Sequence, residues 1–342
     1  MKKTIFTLAA LCMAVAANAT ILRVSNVEGS SAPYSDLQAA VDAANVGDTI
    51  MVDGSTVDYM TDSKAVEISK KLVIIGPGYW IAENGLAQEA FPAAKTKFVV
   101  HKDAAGTVIE GFSSPDISSG VIFQINADNC VIRRCYIHSG TNYGIRFGKD
   151  DWQDEHATTG AVICQNFFDN SVIQGHSSAL TSNVQVTNNI FVDKGKSEED
   201  IESLTNSYIA YNTMIGEYPF DSWRNFAWVW SSTIEHNIIR EQHVRYSSIA
   251  DGDNNSWSDN YATVTIPDSN GEAVHTTWKT DKDIRDAELA LTGGKNYGAF
   301  AGDSPYVLSG IPAAPVIQDL VMPTTVEKGK KMNVTIKVGI QK

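Results

Sequence analysis

Five asparagines stand in register along this chain, each set in an otherwise apolar run. The segments ICQN-FF, VTNN-IF, IAYN-TM, IEHN-II and WSDN-YA carry Asn166, Asn189, Asn212, Asn237 and Asn260 at intervals of 23, 23, 25 and 23 residues. A sixth segment, IRRC-YI, sets Cys135 at the same place 31 residues before Asn166, and the excess of eight marks an insertion. Three residues before each position stand Ile132, Ile163, Val186, Ile209, Ile234 and Trp257; two after stand Ile137, Phe168, Phe191, Met214, Ile239 and Ala262. Short apolar strands at a fixed period of this length mean a solenoid, in which each repeat covers its neighbour. A leucine-rich repeat fits poorly, because its L-x-x-L-x-L pattern and leucine core are missing. A parallel β-helix fits: like stacks on like at about 4.8 Å per coil, and the amide turns a corner, satisfying backbone groups that no strand partner reaches. The Asn column is expected to be structural and to carry no chemistry.

Upstream, YSDLQAAVDAANVGDTIMV spaces Leu37, Ala40, Val41 and Ala44 as one face of a helix over 35–46, with Ser35 or Asp36 to cap it and Gly47 to close it. Laid across the open end of a solenoid, such a helix shields unpaired strand edges. Short strands follow at 49–52, 65–68, 72–76, 97–100, 107–112 and 121–125, interrupted by a loop around 79–95. The coils are expected to fill 20–310 as one all-β domain. Residues 311–342, broken by Pro312, Pro315 and Pro323, read as a tail of one or two strands that is too short for its own core.

Residues 1–19, with Lys2 and Lys3 before an apolar stretch and Ala17-Asn18-Ala19 at its end, read as a secretory signal peptide. Its removal takes two lysines and moves the net charge from -13 to -15, a balance that repels nucleic acid and anionic lipid. No later run is apolar over the roughly 18 residues that a membrane span requires. Cys130, Cys135 and Cys164 remain, an odd number without a C-x-x-C pair, so buried free thiols are expected.

The run DLQAAVDAANVGDTIMV, then ISKKLVIIGPGY, the N-x-[IFM] coils and YGAFAGDSPYVLSGIP at 297–312 together resemble the secreted right-handed β-helix proteins of the pectate-lyase-like superfamily, in its large, little-characterised bacterial branch. The resemblance spans nearly the whole chain after the leader. It implies a right-handed parallel β-helix and polysaccharide binding or chemistry, without a catalytic signature that aligns residue by residue.

Candidate chemistry gathers on a third strand run. Ile145, Ile201, Phe226 and Ile249, with Phe147, Leu180 and Trp228, are expected to point inward, which turns Arg146, Asp200 and Glu202 outward, with His176, Glu199 and Arg224 at the edge of that face. Arg146 and Glu202 then lie two coils, about 10 Å, apart. Two loops are expected to wall a groove. One, at 148–160, carries Trp152 with Asp150, Asp151, Asp154 and Glu155; the other, at 216–225, carries Tyr218, Asp221, Trp223 and Arg224. The four carboxylates offer hard oxygen ligands for Ca²⁺. Arg146 or Arg224 suits a uronate carboxylate for β-elimination, whereas Asp200 with Glu202 or Asp221 suits hydrolysis. Trp152, Tyr218, Asp221, Trp223 and His176 are the candidate sugar contacts. The expected function is engagement of an extracellular polysaccharide by a monomer, as a lyase, hydrolase or binder. The alternative is a non-catalytic surface or adhesion protein with the solenoid as a rigid spacer.

Overall fold

The computed structural model describes residues 19–60, 62, 64–86, 92–115, 120–139, 143–148, 157–176, 181–194, 200–217, 227–240, 254–263, 265–312, 315–321 and 335–340. Of the expected leader 1–19, only Ala19 is among these residues; 1–18 lie outside them. The chain winds as a right-handed parallel β-helix. Among the described residues the first sheet has ten strands, from Ile21–Val24 to Ser256–Ser258; the second has eight, from Ala94–Lys95 to Tyr261–Thr263; the third has eight, from Val66–Ile68 to Ala227–Trp230. Each side chain of a short strand meets its counterpart one coil away. The inward row of the first sheet runs Ile50, Ile74, Ile109, Ile132, Ile163, Val186, Ile209 and Ile234 in unbroken register. In the second sheet, Phe168 and Phe191 stack inside the coil with ring centroids 4.5 Å apart.

The Asn column forms a continuous hydrogen-bonded ladder. Nδ2 of Asn166 donates to Oδ1 of Asn189 at 3.1 Å, that of Asn189 to Asn212 at 3.0 Å, that of Asn212 to Asn237 at 2.9 Å, and that of Asn237 to Asn260 at 2.9 Å. Each amide also donates to a carbonyl, such as Ile132 O from Asn166 at 2.9 Å. Before each amide the chain is left-handed at a non-glycine residue: Arg134, Gln165, Asn188, Tyr211, His236 and Asp259 have φ of 56°, 58°, 55°, 57°, 57° and 51°. A non-glycine residue held there costs of order 1 kcal/mol or more. The ladder offsets it, because the bend is what carries each amide inward to its partners. The three thiols are unpaired, and burial pushes Cys130, Cys135 and Cys164 up to about 11, 12 and 11.

The helix spans Leu37–Ala43, where Asp36 accepts from Ala39 N and Leu37, Ala40 and Val41 enter the solenoid core. The coils stop at Thr263, short of the expected 310, and residues 265–312 instead build a second layer outside the second sheet. A helix at Asp281–Thr292 turns Ile284 and Ala287 toward Phe167, Ile190, Val192, Ile215 and Ile238, outward residues of the second sheet, and these form a second core with Val274 and Tyr306. Trp80 and Trp278 close on Phe167, with ring centroids 5.2 and 5.0 Å away.

From Asn296 to Ile311 the chain runs back along the left-handed corner as a strap. Gly298 N donates to His236 O, Asn188 Nδ2 to Ala299 O and Ala301 O, Gln165 Nε2 to Pro305 O, and Arg134 Nη1 to Ile311 O. The strained corner residues thus aim their polar ends at one segment. Gly298, at φ 81°, is required there: a Cβ would lie 2.5 Å from both Glu288 Oε1 and Ile238 Cδ1. Two buried carboxylates fasten the layer. Asp281 takes hydrogen bonds from Ser309 N at 2.6 Å, Tyr306 Oη at 3.1 Å and Asn84 Nδ2 at 2.6 Å. Glu288 accepts from Phe300 N at 2.9 Å and from the Thr213 hydroxyl, and burial pushes it up to about 7. The tail contributes an antiparallel ribbon, Pro315–Val321 with Thr335–Ile340.

Candidate functional site

The third sheet turns one side-chain row to the outside along the solenoid axis. Strand pairing sets Glu67, Val99, Gln124, Arg146, Gln174, Glu202 and Trp228 one above another, one per coil. The alternate positions, Val66, Phe98, Phe123, Ile145, Ile173, Ile201 and Ala227, are buried and hold the row rigidly from behind. Outward side chains are therefore spaced at about 4.8 Å. Gln174 Nε2 donates to Glu202 Oε1 at 2.9 Å, so amide and carboxylate hold one another in plane. The Arg146 guanidinium lies 5.0 Å over the Tyr143 ring, a cation–π contact that orients its fork. At the other end of the row, Trp228 is 42% exposed, and its ring centroid is 5.5 Å from that of Trp230. Two neighbouring indoles, one of them open, make this end of the row a candidate contact surface, since Trp is enriched among residues that carry binding energy.

Trp228 corrects the expectation that it points inward. The preceding strand bulges at Ser203, with φ 60°, so the register jumps from Glu202↔Trp228 to Leu204↔Val229. One extra residue in one coil reverses the facing of every residue counted back from the amide. Ala227 and Val229 face the core instead. Asp200 is a second correction. It is 1% exposed and Glu202 itself only 7%, so the expected hydrolytic pair of Asp200 with Glu202 does not assemble on the open face. Arg146 and Glu202 do share the outer row, two coils apart through Gln174. His176 sits at its edge, where its ring packs on Gly148 and its backbone N–H donates to Thr181 Oγ1 at 3.0 Å.

Arg224, Trp152, Tyr218, Asp221 and Trp223 lie outside the described residues, as do Asp150, Asp151, Asp154 and Glu155, the residues on which the Ca²⁺ expectation rests. Among the described residues no group of three or more His, Cys, Asp or Glu is placed to hold a metal ion. Nor is any described helix long and apolar enough to cross a membrane. Gln124 and Gln174 were missed by sequence reasoning, which sought charged and aromatic groups; their signal was the two-residue alternation with buried Phe123 and Ile173.

No family model matches the chain, and no curated protein matches it. Among solved structures, the crystal structure of a pectin methylesterase in complex with a hexasaccharide is similar at a TM-score of 0.32 and 10% identity, over 85% of this chain and 98% of that one.

Proposed function

We propose that this protein binds an extended extracellular polysaccharide along the outer row of its third sheet. The observation that carries the reading is exposed Trp228 in register with Glu202, Gln174, Arg146 and Gln124, one outward group per coil. An extended glycan also repeats at about the spacing of a coil, so successive sugars meet successive rungs. Trp228 supplies a face for stacking, the two amides take hydroxyls, and Arg146 takes a carboxylate where the glycan carries one. The extracellular placement rests on the leader of residues 1–19. Cleavage is a finer proposal: the row's two carboxylates, Glu67 and Glu202, stand five coils apart, about 24 Å and too far to flank one glycosidic bond, so β-elimination of a uronate opposite Arg146 suits these groups better than two-carboxylate hydrolysis.

The test is retention of the purified protein on a panel of acidic and neutral glycans, with Ca²⁺ or a chelator, while unsaturated products and reducing ends are followed. Trp228→Ala is expected to weaken binding about tenfold, the scale of one aromatic contact. Equal affinity of Trp228→Ala and the parent would move the site elsewhere. Failure to retain any glycan would leave the solenoid as a rigid scaffold.

A further inference from the structure

The first strand starts at a carboxylate. Thr20 N donates to Asp48 Oδ1 at 2.7 Å, and Asn45 N donates to Oδ2 at 2.7 Å. These bonds, that from Thr20 foremost, hold the Asp48 carboxyl below its ordinary range, so it is ionised at neutral pH. The residue is 2% exposed. Lys70, the lysine whose charge reaches it, gives its ammonium to Asp42 O and Ala44 O instead, at 2.9 and 2.8 Å. A buried anion is thus held by two neutral donors, and a charged donor in place of either would bind it more strongly.

Asp48 stands where three parts of the first coils meet. It lies in the turn from the helix Leu37–Ala43 to the strand Thr49–Val52, and its own carbonyl accepts from Val73 N at 3.0 Å in the next coil. Thr49 N donates to Thr20 O at 2.9 Å. The strand that follows, Ile21–Val24, ends the first sheet and pairs there with Thr49–Val52. A terminal strand is ordered to the extent that its start is tied down. Ala17 and Ala19 are the small residues that close the expected leader, and Ala19 and Thr20 are both exposed.

We propose that the leader is cut between Ala19 and Thr20, and that Asp48 is the receptor for the α-ammonium so freed, an ion pair that fastens the first strand once the chain is processed. The inference rests on the leader and is independent of glycan binding. The step is hydrolysis by an endopeptidase that reads small side chains at Ala17 and Ala19. The hydroxyl of water adds to the Ala19 carbonyl carbon, the C–N bond breaks, and the Thr20 nitrogen leaves with the remaining hydrogen as an amine. The new acid then passes its proton to that amine, whose ordinary pKa of about 8 keeps it an ammonium at neutral pH. One N–H keeps its place on Oδ1, and the others meet water, because Thr20 is exposed. A neutral hydrogen bond becomes a charge-assisted one without a change of partner.

The intact mass of the product exported by a secreting host is expected to place Thr20 first. Hydrogen exchange then compares that product with the same chain Nα-acetylated, which keeps the Thr20 N–H and removes only its charge. Acetylation is expected to lower the protection of the Ile21–Val24 strand about fivefold in low salt, and by less in high salt, where exposed charges are screened. In Asp48→Asn the free and acetylated chains should be protected alike. A chain that retains Ala19 moves the ammonium outward by about 3.5 Å and should behave as the acetylated one, a second reading should Asp48→Asn disturb its turn. A product that starts at any other residue would overturn the cleavage. Equal protection of free and acetylated chains, or a difference that persists in Asp48→Asn, would overturn the ion pair.

Discussion

The outer faces of the second and third sheets come from the same coils, yet they have opposite fates. On the second sheet the outward row is Tyr136, Phe167, Ile190, Thr213, Ile238 and Tyr261, and it is roofed by the 265–312 layer. On the third sheet it is Gln124, Arg146, Gln174, Glu202 and Trp228, with the indole open. The inner rows of both are aliphatic and aromatic. What differs is only what each outer face must meet: a hydrophobic layer from the same chain, or solvent. In a solenoid the inner row records the fold and the outer row records the contacts.

The comparison breaks most easily at Phe167, which is fully buried between Trp80 and Trp278. Phe167→Ala is expected to cost about 3–5 kcal/mol, read as a lowered denaturant midpoint. The ladder serves both faces at once: Asn189→Ala strands the donors of Asn166 and the carbonyl of Ile163, and should cost about 3 kcal/mol. A pH effect belongs to the roofed face. Glu288 ordinarily titrates at 4.5 and is raised by burial to about 7 in the folded protein. The folded state therefore holds its proton longer than the unfolded one, so this contribution favours folding below about 4.5 and is lost as pH rises through about 7. Thermal melts across that window should fall less with pH in Glu288→Gln than in the parent. On the third sheet, Trp228→Ala should change stability by no more than about 0.5 kcal/mol while weakening glycan retention. A large loss of stability there would show the indole to be a packing residue and erase the contrast.

The coil register was legible because the pattern is repeated. Each Asn is held by the next, so the same amide and the same flanking aliphatics recur, and Leu37, Ala40 and Val41 announce the helix by their spacing. The 265–312 layer was not legible as such. Half of its helix, DKDIRDAELALT, is charged, and it offers Ile284 and Ala287 to a face whose existence depends on Phe167 and Ile190 from distant coils. The motif YGAFAGDSPYVLSGIP was visible, but its role as a strap was not, because its partners are left-handed corner residues of several identities.

By itself the sequence determined the solenoid, its inner rows and its ladder, since these follow from periodicity, and periodicity survives without coordinates. Which residues of the outer rows meet solvent was decided only in three dimensions. A single bulged residue at Ser203 changes the facing of what lies beyond it, and whether a face is open or roofed depends on where a distant segment comes to lie.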